Sequence, residues 1–219
     1  MIVNWNAIDT VLLDMDGTLL DLHFDNHFWL EHVPQRYAEK HGLSKEDSHA
    51  QLASRYASVA GTIEWYCVDY WTRELDLDIA FLKGEVAHLI AVHPDVTDFL
   101  DALRAAGKRS VLVTNAHHKS LALKMQKTGL HGYFDAVISA HEIGIPKENP
   151  AFWEKLQARE TFTPASTLLI DDSLPVLRSA QGYGIAHLLA VLKPDTKLPE
   201  KDVGEFQAVS RFGDILPGP

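Results

Sequence analysis

Cysteine is nearly missing: Cys67 is the single one in 219 residues. An intrachain disulfide framework is therefore excluded and a reducing compartment is favoured; on its own such a residue reads as a small buried hydrophobe. Long apolar runs are missing too. No stretch reaches the roughly eighteen apolar residues of a membrane-spanning helix, and the start, MIVNWNAIDTVLLDMDG, has neither the basic opening nor the long apolar segment of a secretory leader. The expectation is a soluble cytoplasmic protein with no membrane partner. Positive charge is scarce, with 20 Lys and Arg against 30 Asp and Glu and a formal net charge of -10. That balance repels polyanions and leaves no basic stripe, which excludes a nucleic acid polymer as partner. Any phosphorylated ligand must be small and neutralised locally. Internal repeats, low-complexity stretches and a Walker-type glycine-lysine loop are also absent from the sequence, the last arguing against a P-loop kinase.

What is present suits an α/β fold. With 46% hydrophobic residues the chain can build one sizeable core and a smaller appended unit. Short apolar runs at Thr10 to Leu13, Ser110 to Val113, Ala136 to Ile138, Thr167 to Ile170 and His187 to Leu192 read as buried strands. Helical patterns separate the later ones: Pro94 to Ala106, Lys119 to Lys127, Pro150 to Arg159, and Leu174 to Gln181 stopping at Gly182. Alternation of this kind indicates a parallel sheet. Roughly ninety residues separate the first two strands, far more than a crossover helix requires, so a unit is inserted there. From Asp21 to about Val92 it reads as helical, with Trp29, Val33 and Tyr37 spaced by four and a capping-box pattern at Ser44 to Asp47. The tail after Pro194 reads as loop with at most one short turn.

Each expected strand end carries a group suited to phosphate or metal. Asp14-Met15-Asp16-Gly17-Thr18-Leu19 follows the first strand directly, placing two carboxylates and a glycine turn at a carboxyl-terminal sheet edge, where open α/β sheets bind ligands. Thr114-Asn115 follows the second, offering a hydroxyl and main-chain N–H groups near a helix start. Lys147 lies after the third on a proline-bounded loop, where an ammonium could reach a phosphate. Asp171-Asp172-Ser173 follows the fourth with adjacent hard-oxygen donors of the kind magnesium prefers. Singly, each has a plain structural explanation as turn, helix cap or solvated lysine. Four together, in the order acid pair, threonine, lysine, acid pair, favour a shared site.

This order of motifs, carried by Asp14-Met15-Asp16-Gly17-Thr18, Thr114-Asn115, Lys147 and Asp171-Asp172, resembles the haloacid dehalogenase-like hydrolase superfamily. The resemblance implies a Rossmann-like parallel-sheet core formed by residues 1–20 and 93–219, with residues 21–92 as an inserted α-helical cap. It implies that the first and fourth motif strands lie side by side, bringing Asp14 near Asp172. It further implies phosphomonoester hydrolysis, with Asp14 as covalent nucleophile and Asp16 as general acid and base. A carboxylate and a phosphate repel by about 4 kcal/mol per charge pair at about 4 Å in an effective dielectric near 20, so the site needs cations. Lys147 is one, and Mg2+ is the other by resemblance, held by the Asp14 carboxylate, the Asp16 carbonyl and a motif-four aspartate. Asp172 is the preferred direct ligand, with Asp171 ligating through water or orienting its neighbour. Thr114, Asn115 and nearby amides would bind the phosphate oxygens. Dehalogenase members usually lack an aspartate at the position of Asp16.

A wider pattern adds Asp21 with Phe28-Trp29, Trp65-Tyr66-Cys67, Asn115-Ala116-His117 and Pro146-Lys147-Glu148. It is similar to the purine 5'-nucleotidases of that superfamily, which implies a small phosphorylated metabolite as partner, a purine nucleoside monophosphate such as GMP or IMP. Phosphatases of sugar phosphates or phosphoglycolate, phosphomutases, a dehalogenase and a non-catalytic binding protein are the competing readings. The cap aromatics either stack on a base or pack the cap helices, base rates favouring packing; Asn115-Ala116-His117 either frames the substrate or is a polar loop. His117-His118 and the His23/His27 pair are set aside as zinc sites, since nothing in the sequence completes either pair.

Overall fold

The computed structural model describes residues 2–218. Six parallel strands form one sheet: β1 (Thr10–Leu13), β2 (Arg109–Thr114), β3 (Ala136–Ser139), β4 (Thr167–Asp171), β5 (His187–Val191) and β6 (Ala208–Val209), in the order β3-β2-β1-β4-β5-β6. Side chains alternate between faces, as period two requires. On β1, Val11 and Leu13 enter one core cluster and Leu12 the other; β4 repeats this with Leu168 and Ile170 against Leu169. Helices α6 (Val96–Ala105) and α7 (His118–Thr128) send Phe99, Leu103 and Met125 into the first cluster, while α9 (Ala151–Arg159) and α10 (Leu174–Tyr183) send Trp153, Leu156 and Leu177 into the second. A short α8 (Ala140–Ile143) follows β3.

The tail departs from its loop reading. Ala208–Val209 pairs with β5 as a sixth strand, and a 3-10 turn at Phe212–Ile215 buries Phe212 and Ile215. The Phe212 ring lies 5.1 Å from that of Phe99, and Trp5 Nε1 donates to the Ile215 carbonyl at 3.0 Å. Two residues are too few to show a period in sequence; the open edge of β5 recruits them. Helix α10 also continues past Gly182 and ends at Gly184, whose φ of 108° supplies the left-handed cap.

Within residues 21–92, ahead of α6, the chain forms five α-helices: α1 (His23–His27), α2 (Val33–His41), α3 (Lys45–Val59), α4 (Val68–Leu75) and α5 (Ile79–Glu85). They enclose a third core of their own, including Phe24, Phe28, Val33, Tyr37, Leu52 and Trp71. This is the helical cap on a Rossmann-like core. Chain departure and return lie together, with Leu20 bridged to Val92 and the Asp21 N–H donating to Ala91. A π-helical turn, Phe28–His32, joins α1 to α2. Its wider turn explains why the buried line runs Phe24, Phe28, Val33, Tyr37, with a step of five in the middle. Trp29, expected on that line, is turned out to the wall of a cavity instead. Ser44 caps α3 by accepting from the Asp47 N–H at 3.0 Å, and its hydroxyl donates to the Asp47 carboxylate, half of the expected box. Among the described residues no helix is long and apolar enough to cross a membrane.

Candidate active site

Because β1 sits between β2 and β4, the three strand ends converge at the point where strand order reverses. Asp14 follows β1, with its N–H donating to the Ile170 carbonyl at 3.1 Å. Thr114 ends β2, and Asp171 ends β4. One oxygen each of Asp14, Asp171 and Asp172 lies within 4.8 Å of the others. Lys147, only 2% exposed, reaches Asp14 at 2.5 Å and Asp171 at 2.7 Å, with the Val113 carbonyl at 3.1 Å. The loop lysine of the sequence is thus a buried ammonium between two carboxylates. Asp14 and Asp171 overcome the desolvation that would lower its pKa and hold it charged.

Desolvation dominates the carboxylates. It pushes Asp14 up to about 6 against the pull of Lys147, and Asp172 to about 6 with Asp14 adding repulsion. Asp171 is raised as well; both its oxygens are engaged, by Lys147 and by the Ser173 N–H at 2.8 Å. Asp172 contacts Lys201, which bonds both its carbonyl and, at 3.3 Å, its carboxylate. Gly17 has φ +82°, and a Cβ there would stand 2.8 Å from the Asp172 carboxyl carbon, so only glycine lets that carboxylate close over the first-motif turn. A set of crowded, under-neutralised, oxygen-only donors fits a hard divalent cation.

The Asp16 side chain lies outside that trio. Its Oδ1 accepts from Lys124 at 2.6 Å, and Lys124 also holds Asp25 at 2.6 Å. Lys83 in α5 bonds Asp25 at 3.0 Å. Burial raises Asp16 to about 6 despite Lys124; for Asp25 burial is outweighed by Lys124 and Lys83, which hold it at about 2. This buried network joins a core helix to the cap, and sequence reasoning missed it. The available signal was the helical spacing of Ser120 and Lys124, polar positions four apart on one face of α7 that the fold buries.

Thr114 is 1% exposed and its Oγ1 accepts from the Ala116 N–H at 3.0 Å. The Asn115 side chain is committed on both sides: it donates to Glu148 at 2.9 Å and accepts from the Lys147 N–H at 2.9 Å. Tyr66 of the cap donates to the other Glu148 oxygen at 2.9 Å. Asp14, Asp16, Thr114, Asn115, Lys147 and Asp172 border one cavity of about 320 Å³ whose cap wall includes Trp29, Tyr56, Trp65 and Tyr66. Cys67 is half-buried at the N-cap of α4 rather than sealed in a core as expected.

Comparisons with known proteins identify the family. The family model of the haloacid dehalogenase-like hydrolases matches residues 8–184. GMP/IMP nucleotidase YrfG of Escherichia coli is 38% identical over 215 residues, 98% of this chain and 97% of its own length. Phosphoglycolate phosphatase of Thiobacillus denitrificans is 26% identical over 192 residues, 81% of this chain and 80% of its own. A HAD phosphatase from Thermococcus onnurineus superposes with a TM-score of 0.78 at 23% identity, covering 94% of this chain and 95% of that one, a likeness of fold. The chain belongs to the haloacid dehalogenase-like hydrolase family, and it is an enzyme of that family's phosphatase type.

Proposed function

We propose that this enzyme is a magnesium-dependent 5'-nucleotidase that hydrolyses purine nucleoside monophosphates, GMP and IMP foremost, through an aspartyl-phosphate on Asp14. The observation that carries the reading is the Asp14 carboxylate on the cavity floor, beside Lys147, Asp171 and Asp172, beneath an aromatic cap wall. The identity to a GMP/IMP nucleotidase along nearly the whole chain supports the substrate class. Residues 1–20 and 93–219 act as the catalytic core and 21–92 as the cap that selects the ester.

Magnesium held by Asp14, Asp172 and the Asp16 carbonyl would supply positive charge to the phosphate and to the nucleophile. Asp171 orients Lys147 and would support the metal only indirectly. In the first step an Asp14 oxygen attacks phosphorus, the ester P–O bond breaks, and the leaving alkoxide takes its proton from Asp16. In the second, Asp16 removes a proton from water as water attacks the same phosphorus, releasing phosphate and the Asp14 carboxylate. Lys147, the Thr114 hydroxyl and the Asn115 main-chain N–H balance charge spreading over the phosphoryl oxygens; the Asn115 side chain is already occupied in fixing the Lys147 loop. The lone Cys67 supports a reducing, cytoplasmic setting.

Phosphate release with magnesium across GMP, IMP, AMP, pyrimidine monophosphates, sugar phosphates and phosphoglycolate tests the reading. Preference for GMP and IMP is expected. Preference for another ester would leave the chemistry standing and remove the purine assignment, and no release from any would remove both.

A further inference from the structure

Apart from the three carboxylates, a second group of ligand atoms converges where cap meets core. Cys67 Sγ and one ring nitrogen each of His117 and His141 lie within 4.8 Å of one another. They come from three separate elements: Cys67 from the N-cap of α4 in the cap, His117 from the N-cap of α7, and His141 from the first turn of α8. Neither the adjacent His117-His118 nor any sequence spacing announces this set; the fold assembles it.

The His141 Nε2 is buried with no hydrogen-bond partner among the described residues. Buried ring nitrogens are ordinarily paired, so an unpaired one on a ring grouped with a thiol and another imidazole is free to take a ligand. The two rings meet edge to face, with centroids 4.9 Å apart at 85°. Burial, with His118 and His141 nearby, depresses His117 to about 4, and burial depresses His141. Both imidazoles are therefore neutral near physiological pH and keep a lone pair. His117 is only lightly engaged, by a 3.3 Å bond from the Lys119 N–H to Nδ1 and a 3.7 Å approach of Nε2 to Asp69; a metal would displace one of them. Among the described residues Cys67 Sγ accepts only the Tyr70 N–H, at 3.4 Å. Two imidazoles and a cysteine sulfur suit a borderline-soft cation and not magnesium.

We propose that Cys67, His117 and His141 form a zinc site, separate from the magnesium carboxylates, with its fourth position open to water. Zinc there ties the cap to the core beside the cavity that His117 borders, and so lowers turnover. The binding part of this inference does not depend on the phosphatase being a nucleotidase.

The test uses the full chain with magnesium in excess, titrated with Co2+ as a spectroscopic stand-in and then with Zn2+. One equivalent of Co2+ is expected to give a thiolate-to-cobalt charge-transfer band that Zn2+ abolishes. Cys67→Ser is expected to lose the band and the zinc inhibition, and His141→Asn to weaken binding roughly tenfold or more. If circular dichroism shows that Cys67→Ser fails to fold, His141→Asn decides. Absence of a thiolate band, or zinc binding and inhibition unchanged in a folded variant, would overturn the site.

Discussion

Two aspartates two positions apart are placed in opposite surroundings, and their roles follow from that. Asp14 faces Lys147 and the motif-four carboxylates; Asp16 faces Lys124 and the cap. Both are near 6 without a divalent cation. Under the proposed mechanism, magnesium on Asp14 would stabilise its charged form and draw its pKa down, while Asp16, presenting its carbonyl, would keep an elevated side-chain pKa suited to a general acid. On that mechanism the acid limb of kcat/KM is expected to report Asp14, which must be ionised, and the alkaline limb Asp16, which must be protonated for the first step. Asp14→Asn is expected to abolish phosphate release with the fold retained, checked by turnover beside circular dichroism; appreciable activity in pure variant would end the covalent mechanism. Lys124→Met removes the cation that lowers Asp16, so the Asp16 pKa rises and the alkaline limb moves to higher pH. A pH profile of kcat/KM with that limb unmoved or shifted down would show that Lys124 does not act through Asp16.

Short elements carry the placement. The turn after β1 works only with Gly17, for the double reason of its positive φ and the Asp172 carboxylate beside its Cα. Gly17→Ala adds backbone strain of about 1 kcal/mol and pushes Asp172 outward. A magnesium titration of activity should show a weakened metal requirement curve and lower maximal turnover, with only a small fall in thermal midpoint; unchanged magnesium dependence would mean that Asp172 is not a direct ligand. The π turn at Phe28–His32 acts likewise on the cap. By advancing the buried face one residue it lets Trp29 border the cavity while Phe28 stays in the cap core. Packing accounts for all three tryptophans: Trp71, 1% exposed, belongs to the cap core, Trp29 and Trp65 lie against that core, and each also presents an edge to the cavity.

Across the whole molecule the uncompensated carboxylates cost stability that a bound divalent cation would return. Asp14, Asp16 and Asp172 sit near 6 against an ordinary 3.8. Between those values the folded state holds protons that the unfolded state has released, so this contribution to stability falls as pH rises through the window and stays low above it. Buried His117, depressed to about 4, acts oppositely, losing stability as pH falls below the ordinary histidine range. A difference between variants isolates the carboxylate part. In chelator, Asp14→Asn should melt above wild type at about pH 7.5, and the gap should shrink near pH 5, where wild-type Asp14 is protonated. Magnesium should raise the wild-type midpoint more at the higher pH, because protons compete for its ligands. A gap of constant size at both pH values would refute the burial-driven shift.

The strands through Val191, their parallel alternation with helices, the helical insertion and all four motif positions were legible in the sequence, because apolar period and turn chemistry are local. The cap network of Asp25, Lys83 and Lys124, the reach of Lys201 to Asp172, and the sixth strand were not. Asp25 and Lys124 are 99 positions apart, and Lys201 lies in a charged tail whose pattern carries no signal. Sequence by itself determined which chemical groups stand at the strand ends. Only the tertiary structure decided which carboxylate meets which ammonium, since burial sets both the pKa values and the need for pairing, and burial is a property of the packed chain.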